Sequence, residues 1–394
     1  MMVAPLQGVR VLDTSRGVAG SYASCLLADL GADVLKIEDP GVGDPLRAEP
    51  PFTEGGESVA FLALNRNKRG ITLQLGKTSG RRIFTKLLGT HDVLVHNARP
   101  ALLGALGAGR ATLREIRPRM ITCSITPFGT SGPYADTSGP ELVLEAMAGL
   151  LQGSAAVWTT RSGPSLRAAE MSAGLYAALG VTSALHHPGE EGLDLEVSQF
   201  ESLASFLSPS LQAYFASAKG PPDGGQDPAW SPSGIFPASD ASIAVVVTSE
   251  QAWKQLCAAL EMEPLVTDER FLTHEDRLAN RPELTRILEE KFSDRTAAEW
   301  VEDLSDRGIA ASRCVSMKEL ADDPHLASRG HIASVPDTLL GEVRLVGSPV
   351  RVGGVQGRIA RSAPLLGEHN GEVLGRMLGY SKSELKRLRG EKII

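Results

Sequence analysis

Along the first 130 residues, short apolar runs alternate with longer stretches of helical spacing. VRVLD (Val9–Asp13), DVLKIE (Asp33–Glu38), ITLQL (Ile71–Leu75), DVLVHN (Asp92–Asn97) and MITCSIT (Met120–Thr126) are compact and apolar, and each predicts a strand. Between them, Ser21–Ala32 and Thr78–Gly89 place their apolar residues at helical intervals. Apolar strands separated by helices imply parallel βαβ units in an open sheet covered on both faces. Ligands of such sheets bind beyond the carboxyl ends of the strands.

The pattern breaks at Ser217–Gly234, a Gly-, Pro- and Asp-rich stretch that reads as a boundary loop. A strand-like Ser242–Thr248 follows, with helical stretches at Glu250–Leu260, Arg281–Phe292 and Ala297–Asp306, which suggests a smaller second domain. From Gly341 onward, EVRLVGSPVRV and the closing GEVLGRMLGYSKSELKRLRG suggest a return to the first domain. The expected layout is 1–216 and 331–394 in one α/β domain, with 217–330 as linker and small α+β domain.

Composition narrows the function. A chain of 394 residues with 42% hydrophobic residues can bury sizeable cores. Its net charge of -7 and the absence of a long Lys/Arg block argue against a nucleic-acid partner. No apolar run approaches the roughly 20 residues of a membrane span, and the start MMVAPLQGVRVLD has no signal-peptide character, so a cytoplasmic protein is expected. Cys25, Cys123, Cys257 and Cys314 lack C-x-x-C spacing and read as free thiols. The histidines form no metal-ligand set, no G-x-S-x-G marks a serine hydrolase, and the turn DTSRGVAGSYAS lacks the G-x-G-x-x-G of a dinucleotide site. No metal is expected.

Three element boundaries carry candidate binding groups. Arg16, Gly17 and Gly20 precede a predicted helix, where backbone amides and a guanidinium suit an anion. LNRNKRGITL gathers Arg66, Lys68 and Arg69, and VHNARP sets His96, Asn97 and Arg99 directly after a strand. A fourth stretch, PSLRAAEMSAGLYAALG, puts Glu170 where a strand-like run meets a helix. A carboxylate there is either an acid favoured by the helix dipole or one held in a cleft for chemistry.

In order, LQGVRVLDTSRGVAGSYASCLLADLGADVLKIEDPGVGDPLR, FLALNRNKRGITLQL, DVLVHNARP, FGTSGPYADTSGPELVLEAMAGLL, AAEMSAGLYAALG, GIFPASDASIAV and SAPLLGEHNGEVLGRMLGYSKSEL resemble the class III CoA-transferase family, also called CaiB/BaiF. The family includes formyl-CoA transferase, carnitine CoA-transferase and alpha-methylacyl-CoA racemase. The resemblance implies a Rossmann-like large domain built from both chain ends and a homodimer of interlocked rings. It also implies acyl-CoA and a carboxylic acid as substrates. Glu170 in EMSAG occupies the place of the family's nucleophilic Asp, and Glu141 that of a supporting acid. Arg16, Gly17, Gly20, Lys68 and Arg69 are implied to face CoA, together with Leu73, Asn97, Ala98 and Arg99. DGGQ (Asp223–Gln226) matches the family's loop over the active site. Pro140 stands where the racemase branch carries its catalytic His, which argues against a two-base racemase. Two alternatives stay open: an isomerase or lyase with Glu170 as general base, and an inactive CoA-binding homologue.

Overall fold

The computed structural model describes residues 4–153, 166–187, 189–217, 230–357 and 359–394; DGGQ and most of the boundary loop lie outside them. The chain divides into two compact units. Met1–Leu150, Arg161–Gln212 and Pro324–Ile394 form the larger, and Leu151–Thr160 with Ala213–Asp323 the smaller.

The larger unit is built on a six-stranded sheet. Its strands are β1 (Arg10–Asp13), β2 (Asp33–Glu38), β3 (Arg69–Thr72), β4 (Val93–His96), β5 (Ile121–Thr126) and β6 (Asp194–Ser198). They are parallel and run in the order β3-β2-β1-β4-β5-β6, so the order reverses between β1 and β4. In open α/β sheets, ligands bind at such a reversal, outside the carboxyl ends of the strands. Alternate residues of the strands feed two separate cores. Leu12, Leu35, Ile71 and Leu94 pack against Ile83, Phe84, Leu87 and Leu88 of the helix Thr78–Leu88 and against Val373 and Leu374. Val11, Val34, Val93 and Val95 pack on the other face, against Ala19, Ala23, Leu27, Ala173, Ala177 and Val181. Coverage on both faces is why these strands read as continuous apolar runs.

Two boundaries differ from the sequence pattern. β3 spans Arg69–Thr72 rather than Ile71–Leu75, because the amide of Leu73 makes the last bond to Glu38 of β2 and the amide of Gln74 turns to the carbonyl of Ile393. β6 was not anticipated: DLEVS alternates polar and apolar residues, as suits an edge strand. At the opposite edge the C-terminal segment covers β3, with Asn370 Oδ1 accepting from the amide of Thr72 at 2.9 Å.

In the smaller unit, Ser233–Pro237, Ser242–Val246 and Ala310–Arg313 form a three-stranded antiparallel sheet. Helices Glu250–Ala259, Arg281–Phe292 and Ala297–Asp306 contribute its core around Trp253, Phe292 and Trp300. Among the described residues, no helix is long and apolar enough to cross a membrane.

Candidate active site

Two helices bring the candidate groups together. α1 (Val18–Asp29) leaves the carboxyl end of β1, and α2 (Ala168–Leu185) carries Glu170 in its first turn. They pack through small side chains, and a Cβ at Gly174 of α2 would lie 2.7 Å from the carbonyl oxygen of Ala19. Met171, next to Glu170, packs against the cluster formed by Val18 at the start of α1 with Leu46, Phe61, Leu62 and Ala363. The two helix starts therefore lie side by side.

The turn before α1 is fixed from several directions. Asn97 clips it across the reversal point: its Oδ1 accepts from the amide of Arg16 at 3.1 Å and its Nδ2 donates to the Arg16 carbonyl at 2.7 Å. Asp44 Oδ1 accepts from the amide of Gly17, which adopts φ 84°. Gly20 is required by contact, because a Cβ there would lie 2.2 Å from Ser15 Cβ.

Beneath the turn lies a fully buried ionic cluster. Lys36 Nζ is 2.8 Å from Asp44 and 3.8 Å from Asp13, and Lys68 Nζ is 3.3 Å from Asp13. Lys68 also donates to Asn65 Oδ1 at 2.7 Å and to the Ser21 carbonyl. Burial pushes the Lys68 ammonium down to about 8, against the pull of Asp13. Burial would also lower Lys36, but Asp13 and Asp44 hold it above its ordinary value. Burial opposes the ionised form of Asp13 as well, and the two lysines with Ser15 and Ser24 outweigh it.

This corrects the expectation for the basic run. Lys68 is sealed inside, and Arg69 is paired with Asp33 at 2.7 Å and Glu372 at 2.7 Å, so neither is a free cation on a binding surface. Leu73 sits in the core and Ala98 is half-buried. Arg16 and Arg99 are exposed, Arg99 pairing with Asp136 at 2.8 Å. Among the described residues no group of His, Cys, Asp and Glu is placed to hold a metal ion.

Glu170 has a different environment. Its side chain is 21% exposed, and Arg167 Nη1 lies 3.4 Å from its Oε2. The other arm of Arg167 donates to Glu49. Glu141, the first residue of the helix Glu141–Met147, accepts from the amides of Ala169 at 2.8 Å and Glu170 at 3.0 Å. It thereby caps the start of α2, a task usually done by the preceding residue. That residue is Arg167, whose backbone lies in the left-handed region at φ 52°, ψ 52°. Burial raises the Glu170 carboxyl to about 7, Arg167 opposes the rise, and Glu141 and Glu49 add to it. Burial raises Glu141 too, against its two amide hydrogen bonds. Such a carboxyl is ionised or protonated by small changes near neutrality, a property of nucleophiles and general bases.

Sequence reasoning missed Arg167, Glu49 and the Asp13–Lys36 pair. The usable signal was Lys36, a charge in the middle of the apolar strand DVLKIE.

A parallel sheet covered on both faces, with its strand order reversing between β1 and β4, defines the chain's class as α/β. The structure is similar to that of a CaiB/BaiF family protein from Brucella suis, with a TM-score of 0.84, 28% identity and coverage of 95% of this chain and 99% of that one. The family model for CoA-transferase family III matches residues 6–370, and the chain belongs to that family. It is 30% identical to human succinyl-CoA:glutarate CoA-transferase, over 98% of this chain and 89% of that protein. It is 31% identical to succinyl-CoA–D-citramalate CoA-transferase from Chloroflexus aurantiacus, over 99% and 98%. The chain is accordingly a transferase enzyme of this family.

Proposed function

We propose that this enzyme moves CoA from an acyl-CoA to a free carboxylic acid through covalent intermediates on Glu170. The observation that carries this is the Glu170 carboxyl itself: half-buried, short of positive charge, and set at the helix start beside the glycine turn of α1. The ionised carboxylate attacks the thioester carbonyl, forming a mixed anhydride and releasing CoA thiolate. The thiolate attacks the Glu170 carbonyl of the anhydride, giving a Glu170–CoA thioester and the donor's acid. The acceptor carboxylate repeats the sequence in reverse, leaving as its own CoA thioester and restoring Glu170. Covalent catalysis of this kind divides one difficult exchange into easier acyl transfers.

Relatives named for succinyl-CoA with glutarate, D-citramalate or mesaconate support small dicarboxylic acids as the substrate class. Arg16 and Arg99 are the candidate cations left accessible for the CoA phosphates. Asn97 and the turn around Gly17 shape the wall near the thioester. We also assign the enzyme to the cytoplasm and to a homodimer; the exposed Leu175, Leu179 and Phe206 offer a second copy an apolar surface.

The test is trapping. Incubation with succinyl-CoA or acetyl-CoA followed by hydroxylamine is expected to modify Glu170, read by peptide mass spectrometry, and Glu170→Gln is expected to abolish exchange of labelled CoA. Exchange that survives in Glu170→Gln would exclude the covalent route, and a general-base role with it, and leave Glu170 a bystander.

A further inference from the structure

The turn that carries Arg16 is held at every backbone amide from Thr14 to Gly17. Thr14 donates to the Val95 carbonyl, Ser15 to Asp13 Oδ1 at 2.9 Å, Arg16 to Asn97 Oδ1 at 3.1 Å and Gly17 to Asp44 Oδ1 at 3.1 Å. The carbonyls of Ser15 and Arg16 accept from Lys36 Nζ at 3.1 Å and from Asn97 Nδ2 at 2.7 Å. Lys36 Nζ is also 2.8 Å from Asp44 Oδ2, so the Ser15 carbonyl, the ammonium, the Asp44 carboxylate and the Gly17 amide form a closed ring that brackets Arg16 on both sides. Asp44 is braced in turn, its own amide donating to Glu38 Oε2 at 3.0 Å and Glu38 pairing with Arg47 at 2.7 Å. The clasps come from the two strands that flank β1, since Asp44 follows β2 and Asn97 follows β4. What this leaves free is one group. The Gly17 amide is committed to Asp44, whereas the Arg16 side chain is exposed and, among the described residues, has no hydrogen-bond or ion-pair partner.

We propose that Asp44 and Asn97 are positioning residues that hold Arg16 as a fixed receptor for a substrate oxyanion, either a phosphate of CoA or the carboxylate of an acid. This rests on the substrates proposed above and not on the covalent step. Arg16 stands beyond the carboxyl end of β1, beside the reversal of strand order where ligands of such sheets bind. A guanidinium on a locked backbone has less to order when an oxyanion arrives than one on a mobile loop, and its planar fork suits phosphate and carboxylate alike. Asp44 is 2% exposed, so it meets no substrate itself and acts through the Gly17 amide and Lys36. The place that an outside anion would take on the Gly17 amide is filled by the chain's own carboxylate, and binding passes to the side chain one residue earlier.

The experiment is a pair of double-mutant cycles in the full chain, Asp44→Ala with Arg16→Ala and Asn97→Ala with Arg16→Ala, using succinyl-CoA as donor and glutarate or mesaconate as acceptor. Arg16→Ala is expected to raise the KM of the substrate it receives about tenfold to a hundredfold, the effect of losing a charged hydrogen bond, with kcat within about threefold. Asp44→Ala and Asn97→Ala are each expected to raise the same KM about threefold to thirtyfold alone, and by less than about twofold once Arg16 is gone. Asp44→Asn, which keeps an acceptor for the Gly17 amide, is expected to fall between wild type and Asp44→Ala. Asn97 is exposed, so its cycle decides the matter even where loss of the buried Asp44 prevents folding. A rise for succinyl-CoA that succinyl-pantetheine does not share identifies the oxyanion as a phosphate; a rise shared by succinyl-pantetheine, or seen for the acid, identifies a carboxylate. Equal factors with and without Arg16, or no rise in Arg16→Ala, overturn the positioning role and leave the transferase reaction standing. Calorimetric titration of CoA and glutarate accompanies the kinetics: wild type that binds them without exchange overturns the reaction proposed above and leaves the cycles readable as dissociation constants. Wild type that binds neither overturns both.

Discussion

At the carboxyl ends of β1 and β2, Asp13 and Asp44 meet Lys36 and Lys68 with no access to solvent. At the start of α2, Glu170 meets Glu141 and Glu49 with Arg167 as the cation in contact. The first cluster balances two anions with two cations and fills the remaining hydrogen bonds from Ser15, Ser24 and Asn65. The second leaves its central carboxyl unbalanced and half-open. Buried charge is tolerated when paired, and an unpaired group is kept only where its reactivity is used. The balanced cluster reads as scaffold for the Gly17 turn, and the unbalanced one holds the carboxyl proposed above as the reacting group.

Substitutions can break this distinction or sharpen it. The largest effect is expected from Glu170→Gln, a loss of labelled-CoA exchange of about ten-thousandfold or more with far-ultraviolet circular dichroism unchanged. Next, Lys36→Met leaves Asp44 without its ammonium and is expected to cost about 3 to 5 kcal/mol in denaturant unfolding. A loss of activity without a loss of stability in Lys36→Met would reverse the roles of the two clusters.

The third prediction concerns pH. The Glu170 carboxyl is raised to about 7 in the folded chain, so the folded state binds the proton more tightly than the unfolded one between about 4.5 and 7. Its contribution to stability is fully present below about 4.5 and lost as the pH rises through about 7. Glu170→Gln is therefore expected to be more stable than wild type by about 1 to 3 kcal/mol at pH 8.5, a gain that disappears near pH 4. Melting curves at the two pH values decide it. Glu141→Gln is expected to cost about 1 kcal/mol through weaker capping of α2. It also removes a neighbouring negative charge, so the pH profile of Glu170 trapping moves to lower pH. Arg99→Ala should change stability by less than about 0.5 kcal/mol, because both Arg99 and Asp136 are largely exposed.

The sheet was legible because its strands are buried on both faces: Asp33–Glu38 matches β2 to the residue, the strands predicted for β1, β4 and β5 fall within one residue at each end, and that for β3 is displaced by two to three residues. The helices Arg281–Phe292 and Ala297–Asp306 were equally plain. β6 was not, because an edge strand with alternating polarity leaves only five residues to read, of which Ser198 alone is buried. At the site, the motif around Glu170 and the turn at Arg16–Gly20 could be found from local pattern. The direction of Lys68 could not: it immediately precedes β3, and whether its ammonium turns to solvent or to Asp13 depends on a strand 55 residues earlier in the chain. Arg167 was overlooked for the same reason, since its meaning lies in Glu49, 118 residues away.

At Gly174 an added Cβ would lie 2.7 Å from the Ala19 carbonyl oxygen, so α1 and the helix that carries the proposed nucleophile approach each other closely. On the proposed reading α1 and α2 act as a fulcrum, and the reach of the Glu170 carboxyl is decided by the length of the lever mounted on it. The family's usual Asp is a short lever; Glu170 is longer by one carbon–carbon bond, about 1.5 Å. An acyl group that meets the longer lever sits that much farther from the helix pair, so the depth of the acid pocket and the identity of the nucleophile form one matched dimension. Specificity in this enzyme can then be retuned at a single side chain without moving any helix, and Gly174→Ala, which lifts the fulcrum, should spoil that match for every substrate alike.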